Sequence, residues 1–282
     1  MDRFSVEISY NVDDSWRDMS TFLKAVTPLL LLPPGVPWTL DLAHCRYLGP
    51  DAAVVIAALH HIGCQRGQHP EIVLPKAPPP LVSFCEFVGL SHQIQKGPRP
   101  QPNNPQSETV PIRQFWSPIA NAQTPVVNLI GRHFTLGPDV EDSLGVAINE
   151  VIQNVADHAE SPVGALMAAR FFSNQHDIRV SIVDLGVGIP ATLSRAYPEA
   201  ASPTKALELV FEGERSSRSR QSNMGLGISN LVGQVRQRRG ELVLLSDAAV
   251  GLAGPDNAPQ FRAVPYTFPG TAVFFRMRVD DE

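Results

Sequence analysis

The stretch "VDLGVGIP", residues 183–190, decides the fold of this chain. It ends an apolar run, "IRVSIV" (178–183), that has the composition of a buried strand. An acid, Asp184, follows the run and precedes Gly186 and Gly188. A Gly-x-Gly after a strand indicates that the backbone comes close to a ligand, because glycine has no Cβ to block the approach. The residues around this stretch decide which ligand that is.

One reading is a dinucleotide site, since Gly186, Gly188 and Ala191 fit the fingerprint Gly-x-Gly-x-x-Ala. Three features count against it. Pro190 is awkward in the tight turn, Asp184 stands where an apolar residue is expected, and no later strand ends in an acid at the required distance. The other reading is a pocket for the adenine of ATP.

Composition limits the class of protein. The chain has 282 residues, 43% of them hydrophobic, and a net charge of -5. This length predicts one large or two ordinary domains, and the acidic balance argues against broad binding to nucleic acid or to an anionic membrane. The N-terminus has no signal-peptide pattern, and the longest apolar run is short and carries prolines. Cys45, Cys64 and Cys85 follow no metal pattern and are expected to be buried, reduced thiols of a cytoplasmic protein.

A stretch rich in Pro, Asn and Gln divides the chain. It predicts a linker over residues 96–115, because such a segment buries too little apolar surface to order itself. Residues 1–95 alternate strand and helix patterns, which predicts an α/β domain. Residues 116–282 combine helices with four strand candidates, which predicts an α+β domain with a mixed sheet covered by helices on one face.

A helix predicted over residues 139–160 carries a polar stripe opposite its apolar face. Glu150, Asn154 and His158 recur every four residues, so they lie on one side of the helix. Such a stripe is most often a solvated face. Asn is a poor helix former, however, and its amide oxygen can bind Mg²⁺ while a Glu one turn away orients a water.

A second glycine motif, "SNMGLGISNL" (222–231), precedes another helix. Backbone N–H groups of Gly225, Leu226 and Gly227 can hold phosphate at the N-terminus of that helix. The polar segment before it carries Arg215 and Arg218, which fits either a surface loop or a lid over phosphates.

These motifs, in this order, resemble the Bergerat-fold (GHKL) ATPases over about residues 135–280, a family that includes DNA gyrase and the histidine kinases. The set consists of Glu-x-x-x-Asn on a helix, Asp-x-Gly-x-Gly, Gly-Leu-Gly before a helix, and a Gly-Thr that opens the final strand. The resemblance implies ATP and Mg²⁺ as cofactors.

The resemblance also implies a role for each matching residue. Glu150 orients water or acts as a base, and Asn154 holds Mg²⁺. Asp184 accepts the adenine amino group, Thr271 supports Asp184, and Gly186 and Gly188 let the adenine pocket close. The phosphate contacts come from Gly225, Leu226 and Gly227, and Arg215 and Arg218 of the candidate lid are expected to neutralise the phosphates.

Within that family, "NEVIQNVADHAE" (149–160) looks most like the anti-sigma-factor serine kinases. Residues 1–95 resemble STAS domains, in which a phosphorylatable Ser opens a helix. Asp51 in "LGPDAAV" (48–54) stands at the matching position. It either mimics the permanent charge of a phosphorylated Ser or, as we favour, caps the helix. The hydroxyls of Ser83 and Ser91 are other candidate phosphoryl acceptors.

Three functions remain open from the sequence. One is a serine/threonine protein kinase acting on a sigma-factor regulator or STAS-type protein, and another is a slow ATPase that switches conformation. The third is a nucleotide-gated adaptor without catalysis, against which the intact Glu150 argues. A protein partner and a possible homodimer are expected, with neither nucleic acid nor membrane as a partner.

Overall fold

A computed structural model describes residues 3–13, 15–95, 108–116, 121–158, 160–213 and 226–279 of this chain. For residues 155–158 and 226 it describes the backbone alone. We call residues 3–95 the N-terminal half and residues 108–279 the C-terminal half.

The N-terminal half alternates strands and helices, as its sequence pattern predicted. Its three strands form a parallel sheet in the order β1-β2-β3. Parallel neighbours need crossover connections, which α1 and α2 supply. The elements are β1 (Phe4–Glu7), α1 (Trp16–Leu31), β2 (Trp38–Asp41), α2 (Pro50–Gln65), β3 (Glu71–Val73), α3 (Pro79–Phe87) and α4 (Leu90–Gln95).

The C-terminal half contains a five-stranded sheet in the order β4-β5-β6-β8-β7. Every neighbouring pair in it is antiparallel, so the expectation of a mixed sheet was wrong, although the α+β class is confirmed. A four-residue connection between β5 and β6 can only reverse the chain. The elements are β4 (Thr109–Phe115), α5 (Thr124–His133), α6 (Pro138–His158), β5 (Ala165–Phe172), β6 (Asp177–Asp184), α7 (Gly188–Leu193), α8 (Pro203–Glu212), α9 (Leu226–Gln237), β7 (Glu241–Ala253) and β8 (Gln260–Arg278).

The predicted linker is shorter than expected at its C-terminal end. Its last residues form β4, which pairs with β5 and lies at the edge of the sheet. An edge strand tolerates Pro111, because one side of its backbone needs no ladder partner. The first part of the predicted linker, 96–107, lies outside the described residues.

Both faces of β6 are buried, by helices from different halves. Ile178, Val180 and Ile182 pack in a core with α5, α6, α8 and α9 of the C-terminal half. On the opposite face, Val183 lies in a core with α1 and α2 of the N-terminal half. The helices of the C-terminal half thus cover one face of the sheet, and the N-terminal half covers the other.

Asp51 takes part in this contact between the halves, and the expectation that it caps α2 was wrong. The N-cap is Gly49, Pro50 is the first helical residue, and Asp51 is the second. Pro is favoured at that first position, which moves Asp51 inside the helix. Its carboxylate instead accepts a hydrogen bond from the Ser181 hydroxyl on β6, and both side chains are buried.

β7 and β8 are longer than the sequence indicated. Both strands extend beyond the sheet as a paired arm, in which Ala249 faces Ala263. The arm packs beside α1, where the Tyr266 hydroxyl and the Ser20 hydroxyl lie 3.3 Å apart. It therefore adds a second connection between the halves.

Two expectations about the whole chain can be compared with the structure. Cys45 and Cys85 are buried as expected, and burial raises the pKa of Cys45 to about 11 and that of Cys85 to about 12. Cys64 is exposed, against expectation, because it lies near the C-terminal end of α2. Among the described residues, no helix combines the length and apolar character needed to cross a membrane.

Candidate functional site

Asp184 is the centre of the candidate site. It ends β6, and its side chain is 1% exposed. The Gly186 N–H donates to its Oδ1 at 2.8 Å, and the backbone and hydroxyl of Thr271 also donate to the carboxylate. Burial raises the pKa of Asp184 to about 7, and these hydrogen bonds oppose the rise. The site therefore holds a buried carboxylate with backbone and hydroxyl donors around it.

A close approach by Gly270 holds Thr271 against Asp184. Gly270 has φ +87°, and a Cβ at this position would lie 2.4 Å from the Asp184 carbonyl oxygen and 2.6 Å from Oδ1. Only glycine allows this backbone to pass so near the strand end. The predicted support of Asp184 by Thr271 is present as a hydrogen bond, while the role towards adenine stays a prediction.

Gly188 begins α7 beside the same turn. It has φ +78°, and a Cβ there would lie 2.8 Å from Ser246 Oγ and 3.0 Å from the Gly270 carbonyl oxygen. Pro190 is the third residue of α7, a position in the first turn where proline is tolerated. Gly188 thus packs against protein groups beside Asp184, and the Gly186 N–H donates to Asp184 itself.

Ser246 is the residue of this site that sequence analysis missed. Its fully buried hydroxyl accepts a hydrogen bond from the Ile189 N–H at 2.9 Å and donates one to the Gly270 carbonyl at 2.7 Å. It therefore ties the start of α7 to the turn before Thr271. The available signal was a polar residue that ends the apolar run "ELVLLS" (241–246).

A second group lies where α6 meets α9. Glu150 is half-buried, and burial raises the pKa of its carboxyl. Its Oε2 is buried and has no hydrogen-bond partner among the described residues. A Cβ on Gly227 would lie 2.6 Å from that oxygen, so the missing side chain is what lets the start of α9 approach Glu150. An unpaired carboxylate oxygen beside a helix N-terminus can accept a proton from a bound water or hydroxyl.

The other predicted residues are only partly described. Asn154 is half-buried one turn after Glu150 on α6, and the apolar face opposite is buried as predicted. Arg215, Arg218 and Gly225 lie outside the described residues, as do the side chains of Leu226 and His158. No group of three or more His, Cys, Asp or Glu residues within the described ranges could hold a metal ion. A magnesium site at Asn154 would therefore need most of its oxygens from a bound phosphate and from water.

The predicted residues that the structure describes lie in two groups on one side of the sheet. Asp184 continues the alternation of Val180 and Ile182, which face α6 and α9. Ile189 of α7 packs against that same core. The groups around Asp184 and around Glu150 therefore open on the same layer of helices.

The topology excludes the dinucleotide reading of Gly186 and Gly188. That fingerprint requires a strand in a parallel βαβ unit, whereas both neighbours of β6 are antiparallel to it. The α7 that follows has only six residues.

Comparison with known proteins adds no assignment. A scan of the chain against protein-family models and a search of curated proteins both find no match.

Proposed function

We propose that this chain is an ATP-binding regulatory protein of the Bergerat type, with Mg-ATP bound between the Asp184 group and the Glu150 group. One observation carries the proposal above the others. Asp184 is a fully buried carboxylate, fixed by Gly186 and Thr271 at the end of a strand, and no cation among the described residues pairs with it. A buried carboxylate in that setting suits a neutral donor such as the amino group of adenine.

The remaining residues fit the rest of the nucleotide. The start of α9, close to Glu150 because Gly227 lacks a side chain, offers backbone N–H groups for phosphate. The unpaired Oε2 of Glu150 is available to position a water or a hydroxyl, and burial makes this carboxylate more basic. Mg²⁺, when bound at Asn154, would supply charge neutralisation for the phosphates.

We assign the catalysis to the anti-sigma serine/threonine kinase type, with a regulatory protein as the phosphoryl acceptor. This part rests on the resemblance of "NEVIQNVADHAE" and on the unpaired Glu150. A homodimer and a STAS-like role for the N-terminal half belong to the same proposal. Asp51 and Ser181 are buried and hydrogen-bonded to each other. Asp51 therefore acts within this chain and is not exposed to a protein partner.

A nucleotide-gated switch is the second candidate, favoured by how the N-terminal half reaches the site. The Gln65 amide at the end of α2 donates to the Pro162 carbonyl. In the same loop, the Ser161 hydroxyl accepts the Leu185 N–H at 3.3 Å, directly after Asp184. A change at Asp184 can therefore be transmitted to α2.

The test measures ATP binding and phosphate release with Mg²⁺ present. We expect Asp184→Asn to weaken ATP binding about 10- to 100-fold, because a charge-assisted hydrogen bond is lost. Glu150→Gln should retain binding and slow turnover by about 100-fold or more. The matched controls are Asp256→Asn, an exposed acid in the β7–β8 connection, and Glu141→Gln, an exposed acid in the first turn of α6.

Each outcome selects one function. Binding with turnover supports a catalytic protein, and binding without turnover in the wild type supports the switch. Wild-type protein that binds no ATP, or Asp184→Asn protein that binds it as well as wild type, would overturn the proposal.

A further inference from the structure

A row of arginines crosses the sheet at the end remote from Asp184. Arg170 on β5 stands directly opposite Arg179 on β6, which in turn stands opposite Arg276 on β8. Like charges in directly opposed positions destabilise a sheet. Such a row therefore requires compensation from groups around it.

Two arginines of the row pair with carboxylates. Arg179 pairs with Asp177 at 3.0 Å, and Arg276 pairs with Glu241 at 2.8 Å. The guanidiniums of Arg170 and Arg179 both lie over the Phe172 ring, 5.1 Å and 4.4 Å from its centre. Among the described residues, the Nε atoms of Arg170 and Arg276 are buried without a hydrogen-bond acceptor.

The same end of the sheet opens into a cavity of about 620 Å³ between the two halves. Arg179, Arg276 and Arg278 line it from the sheet, while Tyr47 and Ser15 bring hydroxyl groups from the N-terminal half. This volume lies within the range of small-molecule sites. Guanidinium forks and hydroxyl donors around one space suit the oxygens of a phosphate.

Three arginines, Arg179, Arg276 and Arg278, line this cavity together with two carboxylates. The carboxylates facing it are Asp13 and Asp177, and Glu241 lies beside Arg276. Beyond the arginine row, the turn before β7 adds Arg238 and Arg239, and the Arg278 N–H donates to the Arg238 carbonyl at 3.2 Å. Arginines from β6, β8 and the turn before β7 thus gather at this end of the sheet and offer guanidinium groups to an anion.

We propose that this cavity is a second ligand site, which takes a phosphorylated small molecule of about the size of a sugar phosphate. Its phosphate lies against Arg276 and Arg278, with Arg179 fixed behind them by Asp177. The ligand contacts both halves, so its binding stabilises their association. This inference goes beyond the ATP site and is independent of it, because the two sites lie at opposite ends of β6.

Inorganic phosphate is the probe, measured by calorimetric titration and thermal unfolding at constant ionic strength against chloride. We expect phosphate to stabilise the wild type more than chloride does. Arg276→Gln and Arg278→Gln should each raise the Kd for phosphate about tenfold. Arg262→Gln, an exposed arginine at the far end of β8, should leave it unchanged.

The melting temperature without phosphate separates the proposal from a purely structural role. Under the proposal, Arg276→Gln should keep or raise it, since the substitution relieves repulsion from Arg179. A purely structural role of the row predicts a lower melting temperature instead. Arg278 is exposed, so its variant tests the site even if Arg276→Gln protein folds poorly. An unchanged Kd in both variants, or no advantage of phosphate over chloride, would overturn the proposal. ATP binding, measured separately, reports only on the other site.

Discussion

β6 begins and ends with a buried aspartate, and the two have opposite surroundings. Asp177 is 5% exposed and forms two hydrogen bonds with Arg179, at 3.0 Å and 3.2 Å. Asp184 is 1% exposed and is held by the Gly186 N–H and by Thr271, with a pKa raised to about 7 by burial. One carboxylate is neutralised by an arginine, and the other has only neutral donors beside it in the part of the chain that the structure describes.

This difference separates a structural carboxylate from one kept for a ligand. A buried ion pair contributes its charge to the fold and has little left to offer a bound molecule. A buried carboxylate without a cation costs stability, which folding tolerates where the group serves function. The same strand therefore carries a structural acid at one end and a candidate binding group at the other.

Asp177→Asn should have the largest effect on the free energy of unfolding. Asp177→Asn removes the carboxylate that pairs with the buried Arg179 guanidinium, which should cost about 3–5 kcal/mol of unfolding free energy. Urea unfolding at pH 7 measures this cost, with Asp256→Asn as an exposed control expected within about 0.5 kcal/mol of wild type. A cost below about 1 kcal/mol would show that Asp177 and Asp184 do not differ as argued.

Asp184→Asn should have the opposite effect on stability. The folded pKa of about 7 lies above the ordinary 3.8, so the folded state keeps the proton to higher pH than the unfolded state does. The contribution of Asp184 to stability therefore falls as pH rises from about 4 to about 7, by up to about 4 kcal/mol, and is then level.

Asn carries no charge, so the variant should lose this decline and be more stable than wild type at pH 8. Unfolding measured from pH 4 to pH 8 in both proteins tests the prediction. If their stability difference is independent of pH, the carboxyl does not titrate as inferred.

Ser246→Ala should destabilise the turns at Gly188 and Gly270, which lie beside Asp184. It leaves the Ile189 N–H and the Gly270 carbonyl without their buried partner, at a cost of about 1–3 kcal/mol. ATP binding should also weaken, because Gly270 holds the turn against Asp184. Ser173→Ala, in the exposed turn between β5 and β6, is the control and should change neither quantity. Weakened stability with unaltered ATP binding would separate Ser246 from the site.

Sequence reasoning located the parts of the fold that depend on local pattern. The apolar period of α6 and the strand before Asp184 were readable because each is continuous in sequence. The contact of Thr271 with Asp184 was also anticipated, but from a resemblance between motifs rather than from any local rule.

The missed features depend on partners that are distant along the chain. β4 was assigned to the linker because its stability comes from pairing with β5, which a Pro-containing edge sequence does not reveal. The paired arm of β7 and β8 was missed for the same reason, since Pro265 and Pro269 interrupt its pattern. Asp51 was assigned to a cap because Ser181, its real partner, is 130 residues away.

Glu241→Gln should have the smallest effect on stability and tests the arginine end of β6 and β8. Glu241 is 50% exposed where it meets Arg276, and an ion pair this open contributes about 0–1 kcal/mol. Unfolding free energy should therefore change by no more than about 1 kcal/mol. Removing the carboxylate leaves Arg276 without its counter-charge, so phosphate should bind more tightly than to wild type. Weaker phosphate binding in this variant would mean that Glu241 orients Arg276 for the ligand rather than competing with it.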